Sequence, residues 1–166
     1  MTTIELISVY DMARLSVHIL YDILNKRSTE DDKHINISHR KLPPWEEHVA
    51  FFDSRPYECW YLIYDVFNVN PACAGTCYVT KRNEIGIVLF KDARGKGIGT
   101  AAVKKLMETK PLPAVPGVRG GGYLANINPN NQASIRMFEK LGFRHIQNTY
   151  HWRRIYGKAQ QKTDDG

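Results

Sequence analysis

Residues 91–101 read Lys-Asp-Ala-Arg-Gly-Lys-Gly-Ile-Gly-Thr-Ala, and the chemistry they allow is phosphate binding. Gly95, Gly97 and Gly99 alternate between a strand-like run and the start of a helical pattern. Glycine has no Cβ, so its backbone N–H can approach an anion closely. The first N–H groups of a helix have no partner within it, and its dipole adds about half a positive charge at that end. Arg94 and Lys96 add full charges. This combination suits a pyrophosphate. Two other phosphate loops are excluded. The pattern Gly-x4-Gly-Lys-[Ser/Thr] fails because Ile98 and Thr100 follow Gly97 and Gly99. The dinucleotide pattern Gly-x-Gly-x-x-Gly fits Gly95 and Gly97 but ends on Thr100, and its strand arrives from a meander.

The elements that must position this loop follow from periodicity. Residues 3–10 pattern as a strand, and Asp11 can cap a helix with Met12, Leu15, Ile19 and Ile23 on one face. Residues 28–44 are polar, lack a period and end in two prolines, which predicts a long loop. Residues 45–54 read as a short helix with Trp45, Val49 and Phe52 inward. Residues 59–66, 72–80 and 83–90 are three strands of a meander. A helix then runs from about Ile98 to Lys110, followed by a Pro/Gly connector over 111–122. Residues 123–128 pattern as a strand. Pro129 fits the first turn of a helix that passes Ile135, Phe138 and Leu141 and stops at Gly142. Residues 143–156 offer two final strands. The tail, 158–166, is polar and expected to fray. The order predicts a single α+β (mixed α/β) domain over 1–157, with one mostly antiparallel sheet and helices on both faces.

The totals agree with this. A chain of 166 residues suits one domain that buries about 70% of its unfolded surface. Apolar residues make up 43% and charged residues 24%, an ordinary globular composition. No apolar run approaches the ~20 residues of a membrane span, and no basic-then-apolar leader opens the chain, so a cytoplasmic location is expected. Cys59, Cys73 and Cys77 are an odd number without framework spacing, which predicts free thiols and no metal site. A net charge of +6 and a pI of about 9.2 suit a polyanionic small molecule. No recognition-helix or zinc-finger pattern argues for nucleic acid.

Two motifs carry a resemblance. Arg94 to Gly99 matches the [Arg/Gln]-x-x-Gly-x-[Gly/Ala] loop of the GNAT N-acetyltransferases, placed after a strand that begins near Glu84. Residues 128–143 resemble the second signature of that family through Asn131, Ser134, Phe138, Gly142 and Phe143. The element order is similar from Thr3 to Tyr156. The resemblance implies a GNAT-like sheet of about seven strands whose fourth and fifth splay apart. It implies acetyl-CoA (or CoA) as cofactor, its pyrophosphate gripped by Arg94, Gly95, Lys96, Gly97, Ile98, Gly99 and Thr100. The pantetheine arm would pair with Ile87, Val88 and Leu89. Asn131, Ser134 and Phe138 would meet the cofactor from the next helix.

The implied reaction is direct transfer of acetyl to a primary amine through a tetrahedral intermediate. An alkylammonium has a pKa near 10, so the amine must lose a proton, and Glu84 is the expected base, directly or through water. A backbone N–H at Val88 or Leu89 would stabilise the developing oxyanion. Many relatives place a tyrosine acid where this chain has Phe138, which cannot donate a proton. Water, Tyr150 or His151 would then take that part, and a thiol pKa of about 8.5 makes thiolate a tolerable leaving group. The resemblance places the acceptor among the 28–44 loop, the 45–54 helix and the residues near Tyr150. His39, Arg40, Trp45 and Tyr150 are the candidate contacts. Residues 37–52 are similar to bacterial acetyltransferases of amino sugars and nucleotide sugars, so an amino-sugar derivative is the expected small-molecule acceptor. The alternatives are a protein, polyamine or modified-base amine, a non-catalytic acetyl-CoA sensor, or a nucleic-acid-binding module. A homodimer through a sheet edge is compatible with the pattern.

Overall fold

The computed structural model describes residues 3–29, 41–67, 71–112 and 122–148. Among these residues, four antiparallel strands form a sheet in the order β1 (Ile4–Ser8), β2 (Tyr57–Asp65), β3 (Ala72–Thr80), β4 (Ile85–Leu89). Between β1 and β2 the chain forms α1 (Ala13–Thr29) and α2 (Trp45–Asp53); after β4 come α3 (Ile98–Thr109) and α4 (Gln132–Lys140). The meander and the helices stand where periodicity puts them, with ends shifted by a few residues; α1 runs on to Thr29, and most of the expected 28–44 loop lies outside the described residues.

Side chains alternate across the sheet and build two cores. On one face Ile63, Cys77, Val79 and Ile85 meet Ala102, Val103 and Leu106 of α3 and Phe138 of α4. On the other, Trp60 and Leu62 meet Val17, Leu20 and Ile23 of α1 and Phe52 of α2. Leu62, Ile63 and Leu106 are fully buried, each contributing about 2 kcal/mol. The alternation changes phase within β3: Cys73 and Tyr78 face α1 and α2, whereas Ala74 and Cys77 face α3. Gly75 sits between them. A Cβ there would lie 2.1 Å from Val88 O, so only glycine lets β3 approach β4 this closely.

Three sequence expectations need correction. The inward face of α1 is Ser16, Val17, Leu20 and Ile23, while Met12 and Leu15 are exposed. Two apolar stripes overlap on this helix, and the sheet selects the one beginning at Ser16. In α2, His48 and Phe52 are buried and Trp45 and Val49 are only half-buried. His48 Nε2 donates to Val17 O at 2.9 Å, which ties the two helices and satisfies the buried ring. Pro129 precedes α4 rather than opening it; Asn131 is the N-cap, its side chain accepting from Ser134 N at 3.1 Å. The helix ends as expected at Gly142, whose φ of 90° is left-handed, with Phe143 N donating to Phe138 O at 3.0 Å.

Among the described residues, the backbone of 123–127 pairs with the sheet only at the parallel bridge Glu84–Leu124, and 143–148 form no strand. The rest of the expected final strand pair lies outside the described residues. Also among them, no helix is long and apolar enough to cross a membrane, and no group of three His, Cys, Asp or Glu could hold a metal ion. The three cysteines are free.

Candidate functional site

The bridge between Glu84 and Leu124 is the apex of a V. Ile85 N donates to Leu124 O at 2.8 Å and Leu124 N to Asn83 O at 2.9 Å. Beyond it no further backbone pairing joins β4 to 123–127 among the described residues. Alternation then fixes which groups of β4 face the gap. Thr80 N bonds Glu84 O at 2.9 Å and Phe90 N bonds Ala74 O at 3.0 Å, so even positions turn their backbone toward β3. Odd positions turn away from it. Ile87 and Leu89, not Val88, therefore present their N–H groups to the gap, so of the two oxyanion donors expected, Val88 or Leu89, only Leu89 faces it.

At the mouth of the V the chain turns through Lys91–Ala93 into the glycine loop. Arg94 Nε donates to Leu89 O at 3.1 Å and pins the loop to the strand end. Gly95 and Gly97 have φ of 74° and 80°, left-handed values that favour glycine, and open space lies where their Cβ atoms would be. Gly97 is the N-cap of α3 and has no side-chain cap. Ala101 N closes the first helical bond to Gly97 O at 3.1 Å. The N–H groups of Ile98, Gly99 and Thr100 thus have no partner within the helix. Gly99 has a different reason for being glycine. It is buried, and a Cβ there would lie 2.9 Å from Met137 Sδ and 3.4 Å from Leu89 Cδ1. The Ile98 side chain is also core, so both residues could serve an anion only through their N–H groups. Lys96 is exposed beside them.

Glu84 is a half-buried, doubly held carboxylate at the apex. Thr80 Oγ1 donates to its Oε2 at 3.1 Å, and Asn126 Nδ2 donates to its Oε1 at 3.1 Å from across the gap. Its own N–H bonds Thr80 Oγ1 at 3.1 Å. The turn at Lys81–Asn83, with Asn83 at φ 61°, brings Thr80 and Glu84 together. Thr80 and Asn126 carry no sequence signal: one ends a strand, and the other stands 42 residues away.

Over the α1 side of β4 lies a second feature. Gly86 would place a Cβ 2.1 Å from Tyr78 Cζ, so the phenol ring lies across the strand itself. Tyr57 stacks on that ring at 3.9 Å and 11°. Burial, then the charge and hydrogen bond of Tyr78, push the Tyr57 phenol well above its ordinary range. The sequence marker for this packing is an isolated glycine within a strand pattern.

The remaining expected residues divide. Asn131 spends its side-chain oxygen on Ser134 N, so its amide NH2 group is what it could offer a ligand. Phe138 is buried against α3 and meets Phe143 edge-to-face at 5.0 Å. Phe138→Tyr should lower stability by about 1–3 kcal/mol, because the hydroxyl would enter this core without a partner. Urea unfolding measures it; unchanged stability with faster turnover would mean that the ring edge reaches the gap. Trp45 stacks on His18 at 4.7 Å and meets Tyr21 at 5.1 Å, joining α2 to α1. His39, Arg40 and Tyr150 lie outside the described residues.

The strand–V–glycine-loop geometry agrees with the comparisons. The family model of the acetyltransferase (GNAT) domain matches residues 21–144, well over half of the chain. The chain belongs to the GNAT acetyltransferase family. A domain from Methanocaldococcus jannaschii superposes with a TM-score of 0.67 at 24% identity, over 90% of this chain and 93% of that one. Spermidine N-acetyltransferase from Vibrio cholerae, in complex with CoA and spermine, superposes with a TM-score of 0.66 at 12% identity, over 94% and 88%. The ribosomal L7/L12 alpha-N-protein acetyltransferase in complex with CoA gives 0.59 at 19% identity, over 84% and 79%. No curated protein sequence matches the chain.

Proposed function

We propose that this chain is an N-acetyltransferase that moves acetyl from acetyl-CoA to a primary amine of a small molecule. The observation that carries the reading is the V itself. A strand edge whose odd-numbered N–H groups have no partner among the described residues beyond the Leu124 bridge leads directly into a left-handed glycine loop and an uncapped helix N-terminus. The Vibrio cholerae spermidine enzyme and the ribosomal-protein enzyme, both in complex with CoA, support the cofactor.

Bound in the V, acetyl-CoA would supply a thioester as the acetyl donor. Gly95, Gly97 and the N–H groups of Ile98, Gly99 and Thr100 would hold the pyrophosphate, with Lys96 adding charge. The Ile87 and Leu89 N–H groups would pair with the pantetheine amides or receive negative charge growing on the acetyl oxygen. Glu84, held by Thr80 and Asn126, would take the proton of the amine, directly or through water. No acid comes from position 138, because Phe138 is buried hydrocarbon. The thiolate would leave unprotonated or take a proton from water.

The deciding experiment is thermal unfolding with and without saturating acetyl-CoA. A ligand at 100 times its Kd adds about 2.7 kcal/mol, a shift of a few degrees. A shift given by acetyl-CoA but not by ADP supports the reading; no shift at millimolar ligand removes it. Gly97→Val should raise the Kd for acetyl-CoA at least about tenfold, since one charge-assisted hydrogen bond is worth about 1.5–3 kcal/mol. The left-handed φ of 80° should also cost the branched residue about 1–2 kcal/mol of stability. Titration calorimetry reads the first effect, and unchanged affinity would move the pyrophosphate elsewhere.

A further inference from the structure

A cavity of about 240 Å³ lies between the sheet and the α1–α2 layer. The rings of Phe51, Tyr57, Trp60 and Tyr78 line it, and Val88 of β4 is part of its wall. We infer that this cavity receives the flat, apolar body of the acceptor, so that the substrate is an aromatic or similarly planar apolar amine. The inference rests on the transferase reading above and names the substrate class of that site.

Three observations carry it. The first is the path. Tyr78 both lines the cavity and lies across β4 at Gly86. A body packed on this ring therefore extends toward the strand edge where Ile87 turns its N–H to the gap. Glu84 stands two residues before Gly86 on the same face of β4, one strand repeat along. An amine on a short linker would leave the aromatic walls at the point where a base is held.

The second is the state of the polar atoms in the walls. Trp60 Nε1 donates to Thr76 Oγ1 at 2.9 Å, and Thr76 Oγ1 donates on to Tyr61 O at 2.8 Å. His48 is engaged by Val17 O. These groups answer one another, so apart from Arg27, Glu47 and the phenol hydroxyls the walls offer rings and methyl groups. A sugar would lose water from several hydroxyls and find few partners in exchange, which is the physical reason an amino sugar is disfavoured here. This departs from the amino-sugar expectation, which drew on residues 37–52, of which 41–52 are described.

The third is charge. Glu47 is the one carboxylate among the described lining residues, and Arg27 is the one cation. A polyamine with several ammonium groups would need more carboxylates than this. A monoamine with an uncharged aromatic body matches the inventory.

The test is binding to the wild-type protein, in the presence of CoA, of 2-phenylethylamine, glucosamine and spermidine, followed by calorimetry and Trp fluorescence. The expected result is a Kd for 2-phenylethylamine at least tenfold below the other two, with a change in Trp emission. Leu24→Trp, which fills the cavity from α1, should abolish that binding and leave the acetyl-CoA melting shift intact. Should this variant not fold, the wild-type ranking still decides. Equal or tighter binding of glucosamine or spermidine overturns the inference. So does no binding of any of the three, which would make the cavity a packing void. Binding of the aromatic amine without any acetyl-CoA shift would keep the cavity assignment and remove the transferase reading.

Discussion

Glu84→Gln is expected to lower kcat about 100-fold at pH 7, the scale of a lost general base. The cofactor melting shift should not change, because the amide oxygen still accepts from Asn126 while the amide NH2 can donate to Thr80 Oγ1 in the same place. The loss should be pH-dependent. An amine with a pKa near 10 is neutral in only about one molecule per thousand at pH 7 and in about half at pH 10. Removing the base therefore hurts most at low pH, and the two pH–rate profiles should converge toward pH 10. Parallel profiles would make Glu84 a positioning group for Asn126 and the strand apex. A variant with full activity at pH 7 would remove it from the mechanism.

Gly75→Ala is expected to produce the largest loss of stability, about 3 kcal/mol. The added Cβ would meet Val88 O at 2.1 Å and Leu89 Cα at 2.8 Å. Both are backbone atoms of the paired strand, so neither can swing aside; β3 and β4 must separate. Gly86→Ala meets an equally short distance, but to the ring of Tyr78, which can rotate away. It should cost less stability and act instead on the aromatic wall beside the gap. Denaturant midpoints compare the two. Gly75→Ala should also weaken acetyl-CoA binding, since the displaced strand is the one that presents Ile87 and Leu89. A loss below about 1 kcal/mol would mean that the β3–β4 approach can relax at little cost.

These two residues mark the line between what is readable in one dimension and what is not. Glu84 is visible because it precedes the strand that leads into the glycine loop, and loop, strand and helix are contiguous. Gly95 and Gly97 are visible for the same reason: turn chemistry is local. Their conformations agree with the residue types. Gly75 and Gly86 are equally plain in the sequence, yet their reason is a neighbour on another segment.

The sequence by itself determined the order of the four described strands and the helices, the phosphate-type loop, the family resemblance and the apolar residues available for a core. Each rests on interactions between residues a few positions apart, where spacing alone specifies geometry. Only the tertiary structure decided which stripe of α1 meets the sheet, which N–H groups of β4 face the gap, and which residues hold Glu84. It also turned Phe138 into core and closed an aromatic cavity over Val88. Those outcomes depend on the register of β4 against β3, on the phase change at Gly75, and on Asn126 reaching across the V. Each brings together segments far apart in the chain, and no local pattern encodes the distance between them.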